Sequence, residues 1–588
     1  MKWKTLEHNG VLFPPEYNYQ GISIKINGEK RKLTEIQEEM AWAWTKKRET
    51  PYVKDKEFIK NFLKDFLERF EKEHHNLSIN SFDFSEMIKI QEKEKEYNSR
   101  PEIKKKLAKE RKERREILKE KYGYAIVNGI KTEVGNYMVE PASIFMGRGE
   151  HPFRGKWKRR AKPNEIVLNL GKESPIPQCS IKGKTWKKIV NEKEATWLAK
   201  WHDKLTKKDK YVWLSESSTI RQEQDKVKYE QAIKMRKSIK KIRNHIKNNL
   251  GSSDKDRRKV ATVTYLIDKL ALRVGDEKDT EGEADTVGAT TLRVEHMKIS
   301  GNKIEFNFLG KDSVRWKKTL EEKNTKKGKN EDYTALLINN LEEFTKGKKQ
   351  EDAIFDKISS SRVNKFLSEC MKGISAKVFR TYHATNEVID YLEKCGLQST
   401  NDEYIKIYHA KMANLEAAKQ CNHKKTPTKK WEENMKKKEN KINEVNKELR
   451  KIKKVINNQK YSCVLCNNKL IINKEIAGCL NEESHKLQAR KTKNSKSIKK
   501  LERQKIKIGK EKERLNRKQV KLVERHDKLK RKFELDTKTK EYNLNTSLKN
   551  YIDPRIYKKW SEKVEVDWNK IYPKSMQKKF IWVEKENT

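Results

Sequence analysis

The chain has 588 residues, with 138 Lys and Arg against 86 Asp and Glu, for a formal net charge of +52. Its apolar fraction is only 34% and no apolar run approaches the roughly 18 residues of a membrane-crossing helix, so the sequence offers no such span. The positive excess points to a polyanion, most commonly nucleic acid inside a cell. Seven cysteines at irregular spacing argue against a disulfide framework. The N-terminus, MKWKTLEHNG, lacks the apolar stretch of a signal peptide, so an intracellular protein is expected.

In chain order, segment 1–215 opens as mixed globular sequence. Ile22, Ile24 and Ile26 alternate like a half-buried strand and lead into Asn27-Gly28, a hairpin turn signal. Thr34-Glu35-Ile36-Gln37 reads as a capping box, after which Ile36, Met40, Ala43 and Trp44 share one helical face. Phe58, Phe62, Phe66 and Phe70, with Leu63 and Leu67, form an aromatic stripe that reads as core rather than as a base-stacking platform. The basic run from Lys104 to Lys121 fits a solvated helix and a DNA-facing one equally. Beyond residue 123, strand-like stretches alternate with turns such as Asn128-Gly129 and Lys182-Gly183. Among them lies Gly147-Arg148-Gly149-Glu150-His151-Pro152, followed by Arg154, Lys156, Lys158, Arg159 and Arg160. Glycines between basic residues let backbone approach a phosphate closely.

Segment 216–424 contains a nearly all-apolar helix, Val260 to Val274, which ends in Arg273-Val274-Gly275. Ile304, Phe306 and Phe308 alternate into Gly310-Lys311-Asp312-Ser313, and Val314 and Trp316 resume the alternation, which predicts a hairpin with Lys311 at its turn. Val363, Phe366, Leu367, Cys370 and Ile374 mark another helix, with Arg380 shortly beyond. Leu415, Ala418 and Cys421 carry a further helix up to Asn422-His423.

In segment 425–545, Met435, Ile442, Leu449 and Ile456 recur every seven residues, with Val445 and Ile452 on the alternate seam. After an interruption, Leu501, Ile508, Leu515, Leu522 and Leu529 recur at the same interval. Two heptad arms around a break predict an antiparallel coiled-coil hairpin with basic outer faces. The break holds Cys463-Val464-Leu465-Cys466, then Cys479 and His485, which read either as a small structural zinc site or as reduced thiols in a divergent loop. Segment 546–588 carries Tyr551 and an aromatic-rich tail (Trp560, Trp568, Tyr572, Phe580, Trp582) expected to pack as a small helical cap.

Arg273, Lys311, Arg380, His423 and Tyr551 together supply what attack on a phosphodiester needs without a metal. A tyrosine brings an oxygen nucleophile, and cations stabilise the charge that builds on the phosphorus oxygens. Taken singly, Arg273 reads as a snorkelling or paired arginine, His423 as a helix cap and Tyr551 as core.

Seven stretches carry a resemblance: Ile267-Asp268-Lys269-Leu270-Ala271-Leu272-Arg273-Val274-Gly275, Asp285-Thr286-Val287-Gly288, Leu292-Arg293-Val294-Glu295-His296, Phe308-Leu309-Gly310-Lys311-Asp312-Ser313, Ala376-Lys377-Val378-Phe379-Arg380-Thr381-Tyr382, Cys421-Asn422-His423 and Asn550-Tyr551-Ile552-Asp553-Pro554-Arg555. In this order they closely resemble eukaryotic-type DNA topoisomerase IB, over nearly all of the chain except the middle of the hairpin. The resemblance implies an α+β multidomain fold forming a two-lobed DNA clamp. Its parts would be an N-terminal cap (1–215), a mainly helical catalytic lobe of tyrosine recombinase type (216–424), a coiled-coil linker (425–545) and a small helical C-terminal domain (546–588).

It further implies that Tyr551 is the nucleophile, that Arg273, Arg380 and His423 stabilise the transition state, and that Lys311 is the general acid. The expected activity is relaxation of positive and negative supercoils through a 3′-phosphotyrosyl intermediate, with no ATP, metal or other cofactor. Arg148, His151, Lys158, Arg159, Arg160, Asp312 and Asn550 are expected to contact DNA. Arg148, Asp312 and Asn550 also match family positions where camptothecin-type intercalators lodge. The expected partner is supercoiled double-stranded DNA, held by a monomer in the nucleus. There are three departures: almost none of the family's long charged N-terminal tail is present, Met146 stands where another arginine is usual, and Glu216 replaces a proline near the hinge between lobes. A tyrosine recombinase and a non-enzymatic basic coiled-coil protein are the competing classes. The cap and linker disfavour the former, and the ordered catalytic set disfavours the latter.

Overall fold

A computed structural model of the chain describes residues 1–276, 283–321, 333–479 and 485–585, with backbone alone at 476–479 and 485–491. The fold is mixed α+β and rich in helix. It divides into two compact units, Met1–His383 with Tyr572–Thr588, and Ala384–Ile571.

In the first unit, strands Ser23–Ile26 and Glu29–Lys32 form the hairpin that Asn27-Gly28 predicts. Both turn residues have positive φ, 49° and 92°, as a two-residue hairpin turn requires. On helix α1 (Glu35–Thr45) the Gln37 side-chain oxygen accepts the Thr34 N–H at 2.8 Å. Met40 and Trp44 are buried as expected, but Ile36 is exposed, because the buried face begins at Gln37. On α2 (Lys56–Leu67), Phe58, Phe62 and Phe66 are fully buried, and Trp44 stacks on Phe62 at 4.3 Å between ring centroids. After α3 (Ser85–Ser99), the basic run lies on α4 (Pro101–Tyr122), whose only buried residue is Tyr122.

Next come a four-stranded sheet, ordered Lys188–Val190, Val167–Asn169, Trp197–Asp203 and Lys208–Trp213, and the long helix α5 (Thr219–Leu250). Helix α6 (Lys255–Leu270) is buried along most of its length and packs with α5, α7 (Thr334–Thr345), α8 (Ser360–Cys370) and a three-stranded sheet around one core. That helix ends at Leu270, three residues before the expected Arg273, because Ala271 turns left-handed (φ 50°). Helix α9 (Val378–Lys394) begins in the first unit and ends in the second.

The second unit continues with α10 (Glu403–Gln420), the two long helices α11 (Trp431–Cys479) and α12 (His485–Lys538), α13 (Leu544–Asn550) and α14 (Pro554–Lys563). Val445, Ile452, Ile456, Leu515 and Leu522 are buried together between α11 and α12, flanked by Leu449 and Leu529. Helix α11 runs on past the last regular heptad, and Cys463 and Cys466 stand one turn apart on it rather than in a loop. Cys466 is buried, and its thiol donates to the Leu501 carbonyl at 3.5 Å. The side chains of Cys479 and His485, the other zinc candidates, lie outside the described residues. Among the described residues no group of three His, Cys, Asp or Glu could hold a metal.

The C-terminal stretch returns to the first unit through α15 (Lys574–Lys579). Buried Lys579 reaches Asp225 at 2.9 Å and Glu216 at 3.3 Å, while Lys578 pairs with Glu133 at 3.1 Å. Glu216, where the resemblance expects proline, therefore answers a buried ammonium.

Candidate active site

Three of the five sequence candidates lie in the first unit. Arg380, nearly fully buried on α9, donates from Nη1 to the Ala271 carbonyl at 2.5 Å, so the left-handed turn that stops α6 also holds this arginine. Two residues on, Arg273 is half-buried, and its carbonyl accepts the Ala289 N–H at 2.8 Å, as Val274 O accepts Thr290 N–H at 2.8 Å. These strips lie so close that a Cβ on Gly275 would stand 2.7 Å from Gly288 Cα, which only paired glycines allow.

The same strip reaches the hairpin Lys303–Gly310/Val314–Glu321 through Val287 N–H to Leu309 O at 2.8 Å. Lys311 stands exposed at the hairpin tip, followed by Asp312 and Ser313 at φ 65° and 57°. Phe308 stacked on Trp316 stiffens the stem. Backbone hydrogen bonds thus run from the Arg273 strip to the base of the Lys311 tip, and one side-chain bond adds Arg380.

Asp268 braces this frame from behind. It accepts from Arg243 Nε at 2.8 Å and meets His383 Nε2 at 2.9 Å, one turn beyond Arg380 on α9. Burial pushes its carboxyl up, but hydrogen bonds from His383 and Arg243 outweigh that and hold it down at about 2.

The other two candidates lie in the second unit. Helix α10 ends in a C-terminal motif with Asn422 left-handed (φ 52°): Asn422 N–H bonds Lys419 O at 3.1 Å and His423 N–H bonds Ala418 O at 2.9 Å. His423 is thereby set with its carbonyl accepting Asn543 N–H at 2.7 Å and its Nδ1 2.7 Å from Ser547 Oγ. Tyr551, half-buried at the end of α13, bonds through its N–H to Ser547 O at 2.9 Å, and its ring lies 5.0 Å from that of His423. Thr385 Oγ1 donates to Tyr551 O and accepts from Asp553 N–H, both at 3.2 Å, gripping the backbone on either side of Ile552. Buried Asp553 caps α14 and chelates Arg555.

Comparisons with known proteins match three stretches of the chain to one family. Residues 1–214 match the eukaryotic DNA topoisomerase I DNA binding fragment, 217–456 its catalytic core, and 523–588 the C-terminal topoisomerase domain. DNA topoisomerase 1 beta of Arabidopsis thaliana is 36% identical over 99% of this chain, which spans 58% of that relative's length. DNA topoisomerase 1 of Chlorocebus aethiops is 33% identical, and that of Homo sapiens 32%, with 70% and 71% of their lengths covered. The chain belongs to the eukaryotic DNA topoisomerase I family.

For the DNA-facing positions that the topoisomerase family suggests, the structure is uneven. Arg148 and Asp312 form an ion pair, and Ser313 Oγ donates to Arg148 O at 3.3 Å, so the glycine-rich loop rests on the Lys311 hairpin. His151 accepts the Phe153 N–H on Nδ1 at 3.1 Å, and burial, helped by Lys208, pulls its imidazole down. Lys158 is buried between Glu140 and Asp203 (2.9 Å to the latter), Arg159 pairs with Glu165, and Arg160 pairs with Glu39 at 3.0 Å. Each of these three cations therefore has a carboxylate partner inside its own unit. Asn550 is half-buried, with its amide donating to Thr546 O at 3.3 Å. Ser547, Thr385 and the Asp268–His383 pair had not been singled out; the only signal in the sequence is spacing, Ser547 one helical turn before Tyr551 and His383 one turn after Arg380.

Proposed function

We propose that the chain is a type IB DNA topoisomerase, which relaxes positive and negative supercoils by breaking one strand, letting the duplex rotate and rejoining the break. The observation that carries this reading is the second-unit group: a buried histidine and a half-buried tyrosine, ring to ring at 5.0 Å, tied to one serine. Tyr551 Oη attacks the phosphorus, its proton leaving to water, and the 5′ oxygen departs as the Lys311 ammonium at the hairpin tip protonates it. Arg273 and Arg380 present permanently charged planar forks to the non-bridging oxygens, and His423 adds a hydrogen bond. Losing one such preorganised donor costs about 3–4 kcal/mol of transition-state stabilisation. The resulting 3′-phosphotyrosyl ester keeps the energy of the broken bond, so rejoining needs no ATP, and side-chain cations carry the charge that a metal would otherwise carry.

The same reading assigns the catalytic region to the tyrosine recombinase type and α11 with α12 to an antiparallel coiled-coil linker. It also assigns a monomeric clamp on supercoiled duplex in the nucleus, with Arg148, His151, Lys158, Arg159, Arg160, Asp312 and Asn550 at the DNA. The test is to incubate the pure chain with negatively supercoiled plasmid in EDTA without ATP. A ladder of relaxed topoisomers is expected; unchanged supercoils beside an active control enzyme would refute the reading.

A further inference from the structure

Ser547 is a hub that the reading above does not use. Its side chain is fully buried, its Oγ lies 2.7 Å from His423 Nδ1, and its carbonyl accepts the N–H groups of both Tyr551 and Ile552, at 2.9 and 3.1 Å. Among the described residues the Ser547 hydroxyl has no second hydrogen-bond partner. That decides the direction of the bond. If Nδ1–H donated to Oγ, the serine proton would be buried with no acceptor, which is costly. If Oγ–H donates to Nδ1, the serine proton has its acceptor and the ring proton of the neutral imidazole must sit on Nε2.

We propose that Ser547 is a positioning residue that fixes His423 as the Nε2–H tautomer, so that the imidazole presents a donor, and not a lone pair, to the scissile phosphate. The proposal rests on the assignment of His423 to transition-state stabilisation. A phosphoryl oxygen gathering negative charge needs N–H groups aimed at it, and the other tautomer would aim a lone pair there. The two contacts of Ser547 act together: its side chain sets the histidine proton while its carbonyl sets the backbone angle at which Tyr551 leaves α13. Asn543 completes the arrangement, since its N–H holds the His423 carbonyl one turn earlier on the same segment.

Three full-chain variants test this. Ser547→Ala deletes the hydroxyl, Ser547→Thr keeps it, and His423→Gln identifies the His423 signals in nitrogen-15 spectra of histidine-labelled protein. Wild type and Ser547→Thr should show His423 as the Nε2–H tautomer, and Ser547→Ala should show a mixture. Single-turnover cleavage should fall about 10–100-fold in Ser547→Ala, the range for a lost partner that orients a functional imidazole at metal sites, with DNA affinity unchanged and Ser547→Thr largely rescued. In a His423→Ala background, Ser547→Ala should cost little more.

A tautomer unchanged by Ser547→Ala, or equal losses in the Ala and Thr variants at equal melting temperature, or additive losses with His423→Ala, would each overturn the proposal. The spectra need no catalysis. A Ser547-dependent tautomer in a chain that does not cleave DNA would therefore support the hydrogen-bond assignment and sink the catalytic reading instead.

Discussion

Gly288→Ala should be far more damaging to cleavage than to stability. The added methyl would stand 2.6 Å from Gly275 N and 2.8 Å from Val274 O, both backbone atoms that cannot rotate away. Ordinary contact begins at 3.4 Å and Gly275 Cα lies nearer still, so the two strips must separate by about 1 Å. Those strips are the ones whose hydrogen bonds, Ala289 N–H to Arg273 O and Thr290 N–H to Val274 O, place Arg273. Overpacking of this kind costs about 1–3 kcal/mol of stability, tolerable in a chain with cores this extensive. A displacement near 1 Å at a catalytic group costs roughly 10²-fold in rate. The assay is single-turnover cleavage of a short duplex that traps the covalent product, with DNA affinity and thermal melting measured on the same preparations. A variant that melts within a few degrees of wild type, binds DNA normally and cleaves roughly 10²-fold more slowly fits the account. If it cleaves within about threefold of wild type, the glycine pair does not position Arg273 and the derivation fails.

Asp268 should show in acid unfolding. Its folded pKa lies below the unfolded value, so its stabilisation is complete above about 4 and is lost as pH falls toward about 2. Asp268→Asn should lower stability at pH 7 by about 2 kcal/mol, the linkage value of a carboxyl held near 2 by the Arg243 and His383 hydrogen bonds, and should flatten the acid limb of the denaturation curve between pH 4 and 2; an unchanged acid limb would count against the pairing. Camptothecin should raise the amount of cleaved complex, and Asn550→Ser should reduce that trapping more than it reduces relaxation. No extra cleaved complex at doses that saturate a sensitive control would mean that Arg148, Asp312 and Asn550 do not form the drug site.

The parts of this protein that were legible in advance are those governed by short-range physics. Asn27-Gly28 can hardly be anything but a two-residue hairpin turn, the phenylalanine stripe has only one face to bury, and the alternation around Lys311 leaves that residue at a tip. What escaped depends on partners distant in sequence. Nothing in an alanine announces the left-handed turn at Ala271, so the helix looked as though it ran on to Arg273. The ion pair of Lys158 with Asp203, 45 positions later, has no local signal in the sequence. Ile36 fell on the expected face of α1 but outside its buried arc. The break in the heptads looked like a loop because the apolar residues leave the seam there, yet the helical backbone of α11 does not depend on the seam and continues through both cysteines. Among the catalytic candidates, the five residues were legible only as an ordered set, while the side chains that hold them, Ser547 and Thr385 above all, are small polar residues with no pattern to betray them.

The most direct test of the central claim is the chemistry of the covalent product. The wild-type chain is trapped on a duplex carrying distinct labels on the two sides of the break, digested with protease, and the nucleotide-bearing peptide is sequenced by mass spectrometry. The account predicts a nucleotide joined through its 3′ phosphate to Tyr551, and no adduct from Tyr551→Phe although that variant still binds DNA. A 5′ linkage, an adduct on another residue, or an undiminished adduct from Tyr551→Phe would contradict it.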